Sequence, residues 1–222
     1  MLIRFAAVLS SIALLAVNPT VAAQTSGQPL ARDLLNPAAL HETAPAMFTV
    51  LFDTSVGSFV VRVTRAWAPF GADRFYNLVK AGFYDECRFF RVVPKSLAQF
   101  GIHGDPAVSA AWRNATLPAE RSRVSNTRGR LTFAQTQLAS TRTTQVFINF
   151  SDNSKLDLDS FAPFGEVITS MLIVERLYSE YGEGIDQDLI YAGGNALLAK
   201  TLPALSYIRK ATLSATKPID HR

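Results

Sequence analysis

The chain has 222 residues, of which 48% are hydrophobic, 10% aromatic and 18% charged, with a formal net charge of +4. That length and apolar share exclude a disordered chain and allow one sizeable hydrophobic core. The cations are dispersed (Arg62, Arg65, Arg121 to Arg130, Arg209, Lys210) and form no basic stripe, so no nucleic-acid partner is expected.

In chain order, the first element is a leader over residues 1–23. Arg4 precedes the apolar stretch Phe5 to Val17, Pro19 breaks it, and Val21-Ala22-Ala23 offers small residues for a cut before Gln24. A spanning helix needs about 20 apolar residues; this stretch is shorter and contains Ser10 and Ser11, which leaves an uncleaved anchor as the alternative reading. The mature chain is therefore expected to be exported, periplasmic or secreted, without stable membrane insertion. Residues 24–46 carry Pro29, Pro37 and Pro45 and read as an N-terminal arm or linker, with a short helical turn near Ala31 to Leu35. The ordered domain is expected over 47–213, with a tail at 214–222.

Alternation of Phe48, Val50 and Phe52, then of Phe59, Val61 and Val63, predicts a hairpin turning at Thr54 to Gly57. Pro69 suits the first turn of a helix whose face is Ala72, Phe75, Tyr76 and Val79, ended by Gly82. Strands are predicted at 87–93 and 97–102, then a polar, irregular excursion from His103 to Asn126. Further short strands follow at 130–134, 145–150 and 161–167. A second helix is predicted over Met171 to Tyr178, capped by Ser170, and a third over Asn195 to Leu202, stopped by Pro203. Tyr207 to Leu213 can form a last strand. Many short strands with interspersed helices indicate a barrel or a sandwich, and pattern alone does not decide between them. The single cysteine, Cys87, excludes an intramolecular disulfide and reads as a buried small hydrophobe. His41, His103 and His221 have no ligand spacing, so no metal and no other cofactor is expected.

Five segments then fall in register with one family. Gly82-Phe83-Tyr84-Asp85, Phe89 to Pro94 followed by Gln99, Gln145-Val146-Phe147-Ile148-Asn149, Leu156-Asp157 and Phe164-Gly165-Glu166-Val167 resemble, in order and spacing, the motifs of cyclophilin-type peptidyl-prolyl isomerases. The resemblance covers roughly 48–178, and residues 182–213 resemble the tail of a bacterial branch. It implies a mainly β fold, a closed eight-stranded antiparallel barrel capped by two α-helices, with a peptide groove on its outer face. It also implies a monomer whose partners are proline-containing peptides and unfolded or folding proteins.

An X-Pro bond interconverts slowly because its C–N bond has partial double-bond character, with a barrier of about 18–20 kcal/mol. Lowering it requires a held proline ring, a carbonyl free to rotate and weakened amide resonance. A guanidinium near the prolyl nitrogen favours the pyramidal form, whose lone pair no longer conjugates. By resemblance Arg91 has that role; by pattern alone it is a solvated strand arginine. Gln99 matches the glutamine that contacts the substrate backbone. A hairpin over 87–102 centred near Lys95 would set Arg91 opposite Gln99 on one face. Phe147 and Leu156 match walls of the proline cup, and Leu97 stands for its usual methionine. Ala134 and Gln135 match the strand edge that pairs with substrate, Gln135 replacing asparagine.

Three departures bear on activity. Ser96 replaces a pocket phenylalanine, Lys155 stands where eukaryotic members often have tryptophan and bacterial relatives vary, and Phe161 replaces a histidine while keeping the rim apolar. Losing an aromatic wall removes part of the roughly 1.5–3 kcal/mol such a side chain can contribute. The resulting expectation is an active but weak isomerase. The alternative is a non-catalytic proline-peptide binding module or chaperone on the same barrel, with the 103–126 segment as a client surface. A β-rich domain without a proline site would require the motif order to be coincidental.

Overall fold

The computed structural model describes residues 33–214. The expected leader lies outside the described residues, as do the arm before Asp33 and the tail after Ser214. The rest of the arm packs on the domain: Leu34 and Ala44 are buried, and the Trp112 indole donates to the Leu34 carbonyl at 2.8 Å.

The predicted hairpin forms as β1 (Met47–Thr54) and β2 (Gly57–Thr64), with Val50 opposite Val61. Its alternation decides the face: Phe48, Val50, Phe52, Phe59, Val61 and Val63 all point into the core. Phe52 and Phe59 stack at 5.0 Å, and Phe100 meets Phe52 edge-on at 5.9 Å. Helix α1 (Pro69–Lys80) covers one end of this core with Ala72, Phe75 and Val79. It has no side-chain cap of its own, and the amides of Phe70 and Gly71 donate instead to the Glu120 carboxylate. Glu120 also pairs with buried Arg142 at 2.8 Å, which ties two surface loops to the helix start.

The remaining strands are β3 (Arg91–Val93), β4 (Leu97–Phe100), β5 (Arg130–Phe133), β6 (Val146–Asn149), β7 (Pro163–Val167) and β8 (Ile208–Ser214). All pairings are antiparallel, in the order β3-β4-β6-β5-β7-β2-β1-β8. Eight strands are as expected, but the closed barrel is not. The sheet curls round the core and leaves β3 and β8 as its edges. An isolated bridge between Arg88 and Tyr207 crosses the seam, with the Phe89 amide donating to the Ser206 carbonyl at 2.9 Å. The ladder cannot run on because the chain before Arg91 is turned: Glu86 has φ +61°, and Phe90 is buried outside the main core.

The helical cap also differs from the expected pair. Helix α2 (Pro106–Trp112) lies inside the supposedly irregular segment, started by Asp105, whose side chain accepts from the Ala107 amide. The second predicted helix is a single turn, α3 (Met171–Val174); beyond it the amides of Arg176 and Leu177 bond three residues back, a tighter winding that ends the α-helix. The third is longer than predicted: α4 runs Gln187–Thr201 and breaks at Gly194, whose φ of 54° and ψ of −156° are not helical. Only glycine fits there, since a Cβ would lie 2.2 Å from the Gly104 carbonyl oxygen. A satellite core of Phe90, Ile102, Ile190, Leu198 and Leu205 docks α4 beside β3. Among the described residues no helix is long and apolar enough to cross a membrane.

Candidate active site

The β3–β4 hairpin turns through Lys95, at φ +61°, with the Ser96 amide donating to the Val93 carbonyl at 3.0 Å. This register puts Arg91 directly opposite Gln99, and Gln99 directly opposite Phe147 on β6. Cross-strand partners share a face, so cation, amide and phenyl ring form one row on the sheet's outer surface. The Arg91 Nη1 donates to Gln99 Oε1 at 3.2 Å, and Gln99 Nε2 donates on to Gln145 Oε1 at 2.7 Å.

A pocket of about 390 Å³ opens over this row. Leu97 and Phe147 line it and are almost wholly buried. Phe161 meets Phe147 edge-on at 5.9 Å and, with Leu156, forms the facing wall. Ala134 and Gln135, just past β5, form another side, where the Ala134 amide donates to the Gln145 carbonyl at 2.9 Å. Ser96 completes the lining beside Leu97. Every residue assigned to a site from sequence thus borders one pocket.

The turn carrying Leu156 is a 3-10 helix, Ser154–Asp159, held from behind by polar groups. Asp157 accepts from the Ser125 hydroxyl at 2.6 Å, the Asn126 amide at 3.0 Å and the Asn126 side chain at 2.7 Å. The fully buried Asn126 also donates to the Phe161 carbonyl at 2.8 Å and accepts from Thr132 at 2.7 Å. One asparagine therefore fixes both apolar residues of the facing wall.

The cation of Arg91 is not free. Its Nε donates to Glu183 Oε1 at 3.0 Å, and its Nη2 forms an ion pair with the same oxygen. Gln187, the first residue of α4, borders the pocket and accepts from Gln145 Nε2 at 3.0 Å. Cys87 takes no part: it is fully buried, its Sγ donates to the Phe83 and Ile102 carbonyls, and burial raises its thiol pKa.

Comparison with known proteins decides the family. Residues 49–189 match the family model described as cyclophilin type peptidyl-prolyl cis-trans isomerase/CLD. A peptidyl-prolyl cis-trans isomerase of Acinetobacter baylyi is 30% identical over 141 residues, 62% of this chain and 74% of that protein. Peptidyl-prolyl cis-trans isomerase A of Dickeya dadantii is 27% identical over 184 residues, 81% of this chain and 86% of that protein. The chain belongs to the cyclophilins. The fold agrees. A crystal structure of a Cryptosporidium parvum cyclophilin type isomerase, solved in the presence of the dipeptide Ala-Pro, superposes with a TM-score of 0.57 at 18% identity, covering 76% of this chain and 99% of that one.

As a cyclophilin, the chain is an isomerase-family enzyme whose pocket carries the three departures seen in its sequence. Ser96 puts a hydroxymethyl group where the resemblance implies a ring, Lys155 stands exposed on the rim, and Phe161 keeps its wall apolar. Sequence reasoning missed Asn126, Gln187 and Glu183 and gave Gln145 no role. Glu183 sits between Gly182 and Gly184, a turn signal in the sequence that says nothing of where the loop leads.

Proposed function

We propose that this cyclophilin accelerates the cis–trans interconversion of X-Pro peptide bonds, with Arg91 as the catalytic residue. The observation that carries the reading is the cross-strand row: a guanidinium held beside a notch built from Leu97, Phe147, Leu156 and Phe161. A pyrrolidine ring seated there leaves its nitrogen facing Arg91. Donation to the nitrogen lone pair stabilises the pyramidal, twisted amide more than the planar one, so the barrier falls without any covalent step. Gln99 holds the guanidinium and the substrate backbone, and the edge at Ala134 and Gln135 pairs with the peptide.

The substrate class is proline-containing segments of folding proteins, bound by a monomer that needs no cofactor and no nucleic acid. We read residues 1–23 as an export leader, which supports clients outside the cytoplasm. Determining the N-terminus of the protein recovered from an extracytoplasmic fraction tests this: Gln24 is expected, and an intact Met1 would contradict it. The activity is tested by a coupled proline-isomerisation assay on the mature chain, in which Arg91→Ala should lose most of the acceleration. Equal rates for the two proteins would refute the role of Arg91.

Ser96 favours one second reading, a binding module without catalysis, because it removes an aromatic wall from the notch. Titration would then show peptide binding with no catalysed exchange, and a large rate enhancement would dismiss it.

A further inference from the structure

The C-terminal segment between α3 and β8 reaches back to the groove, and its contacts there fall on the groups that do the chemistry. Gly182, at φ +59°, turns the chain so that Glu183 faces Arg91. Three residues on, Asp186 caps α4 by accepting from the Asp188 amide at 2.9 Å, and Gln187 follows at the pocket wall. From these two side chains a continuous hydrogen-bonded line runs Glu183–Arg91–Gln99–Gln145–Gln187, with Tyr191 also accepting from Gln145 Nε2 at 3.1 Å. Both ends of the line belong to the C-terminal segment, and its middle belongs to β3, β4 and the residue just before β6.

The geometry points to Glu183 as a positioning residue for isomerisation, one that clamps the Arg91 guanidinium in its working orientation; this rests on the function proposed above. A guanidinium has five N–H donors in a fixed plane. Glu183 takes Nε and one proton of Nη2, and Gln99 takes one proton of Nη1. Among the described residues, one N–H on each terminal nitrogen stays unclaimed, so the clamp orients the cation without consuming the donors a substrate needs. The Arg91 side chain is 34% exposed, and with Gln99 alone it would keep several rotamers. Two holders on different edges of the plane leave essentially one.

The Glu183 side chain is 59% exposed, and it is the segment behind it that is held in place. Phe90, next to Arg91, is buried against Ile190 and Leu198 of α4, so the strand bearing the cation and the segment bearing its partner share one small core. Arg113 pairs with Asp188 and lies 4.6 Å from the Tyr191 ring, which pins the first turns of α4 from the other side. The Asn195 amide donates to the Gly104 carbonyl at 2.8 Å just past the break.

The test compares wild type, Glu183→Ala and Glu183→Asp by exchange spectroscopy on an X-Pro peptide, which separates kcat from KM. Glu183→Ala should lower kcat about fivefold with KM changed less than about twofold, a pattern expected when the group acts through the transition state. Glu183→Asp should recover at least half of the loss. An unchanged or faster Glu183→Ala would overturn the proposal, since the carboxylate would then be idle or competing with substrate for the cation. A second readout does not need catalysis: the Arg91 Nε–H proton should exchange slowly with water in wild type and rapidly in Glu183→Ala. Equal exchange in both would also overturn the clamp. A wild type with no isomerase activity would undo the function proposed above, and the proton signal would still decide whether the clamp exists.

Discussion

Two walls of the same groove are held in different ways. The wall that carries Arg91, Gln99, Leu97 and Phe147 is set by backbone ladders between β3, β4 and β6, so the side chains inherit their order from strand register. The wall that carries Gln187, with Glu183 reaching Arg91 from beside the pocket, is set by a small satellite core, a glycine break and a few polar contacts. Register is robust, because a slip by one residue would turn the whole apolar face outward. The C-terminal wall depends on few groups, so single substitutions should move it without unfolding the sheet.

The largest effect should come from Gly194→Ala. The left-handed backbone there disfavours a side chain, and the new Cβ would meet the Gly104 carbonyl. Strain of this kind costs about 1–3 kcal/mol before the clash is counted. Hydrogen exchange should show α4 losing protection while β1, β2 and β8 keep theirs; uniform loss across the sheet would mean that the two walls are not independent. Asn126→Ala attacks the groove from the opposite side. It leaves the buried Thr132 hydroxyl without its acceptor and removes the side-chain donor to Asp157 and to the Phe161 carbonyl, a cost of about 1–3 kcal/mol, and should loosen Leu156 and Phe161. Thermal melts should show the loss, with peptide affinity reduced and α4 protection unchanged.

Ser96→Phe sharpens the comparison by filling the notch on the register-held wall. Restoring a ring should tighten peptide binding by up to about tenfold, or roughly 1.4 kcal/mol, as read by titration. No gain would mean that the hydroxyl position does not face the bound peptide. The smallest effect expected is with pH. Burial keeps the His103 imidazole below its ordinary pKa, and its Nδ1 accepts from the Asp105 amide, a bond only the neutral ring can make. The unfolded chain, with an ordinary value near 6.5, then binds more protons than the folded one. The contribution is present above about pH 6.5 and lost as pH falls through the lower folded value. Nearby Asp85, whose carboxyl is raised by burial, acts in the opposite sense: its penalty is relieved as the folded group protonates on acidification. Urea melts across this range should show a slope that His103→Gln flattens.

How much of this was legible in the sequence follows from the same contrast. A hairpin assumed to centre near Lys95 sets Arg91 opposite Gln99, and the observed register has that pair. The family motifs carried Phe147, Leu156 and Phe161 to one pocket. Helix α2 was missed although Asp105-Pro106 is a helix start, because the polar residues around it masked a seven-residue element. Closure of the barrel was expected and failed at Glu86 to Phe90, where side-chain packing against α4 takes the chain out of the ladder. Glu183 could not be read as an Arg91 partner: the two are 92 positions apart, and no periodicity links a loop carboxylate to a strand arginine.

The central claim is that Arg91 acts on the amide and does little to hold the peptide. Exchange spectroscopy on a saturating X-Pro peptide, with wild type and Arg91→Ala side by side, addresses it directly. Both proteins should bind, and only wild type should interconvert the bound isomers quickly, with a difference of about a hundredfold or more. Bound peptide exchanging at the same rate on both would contradict the account.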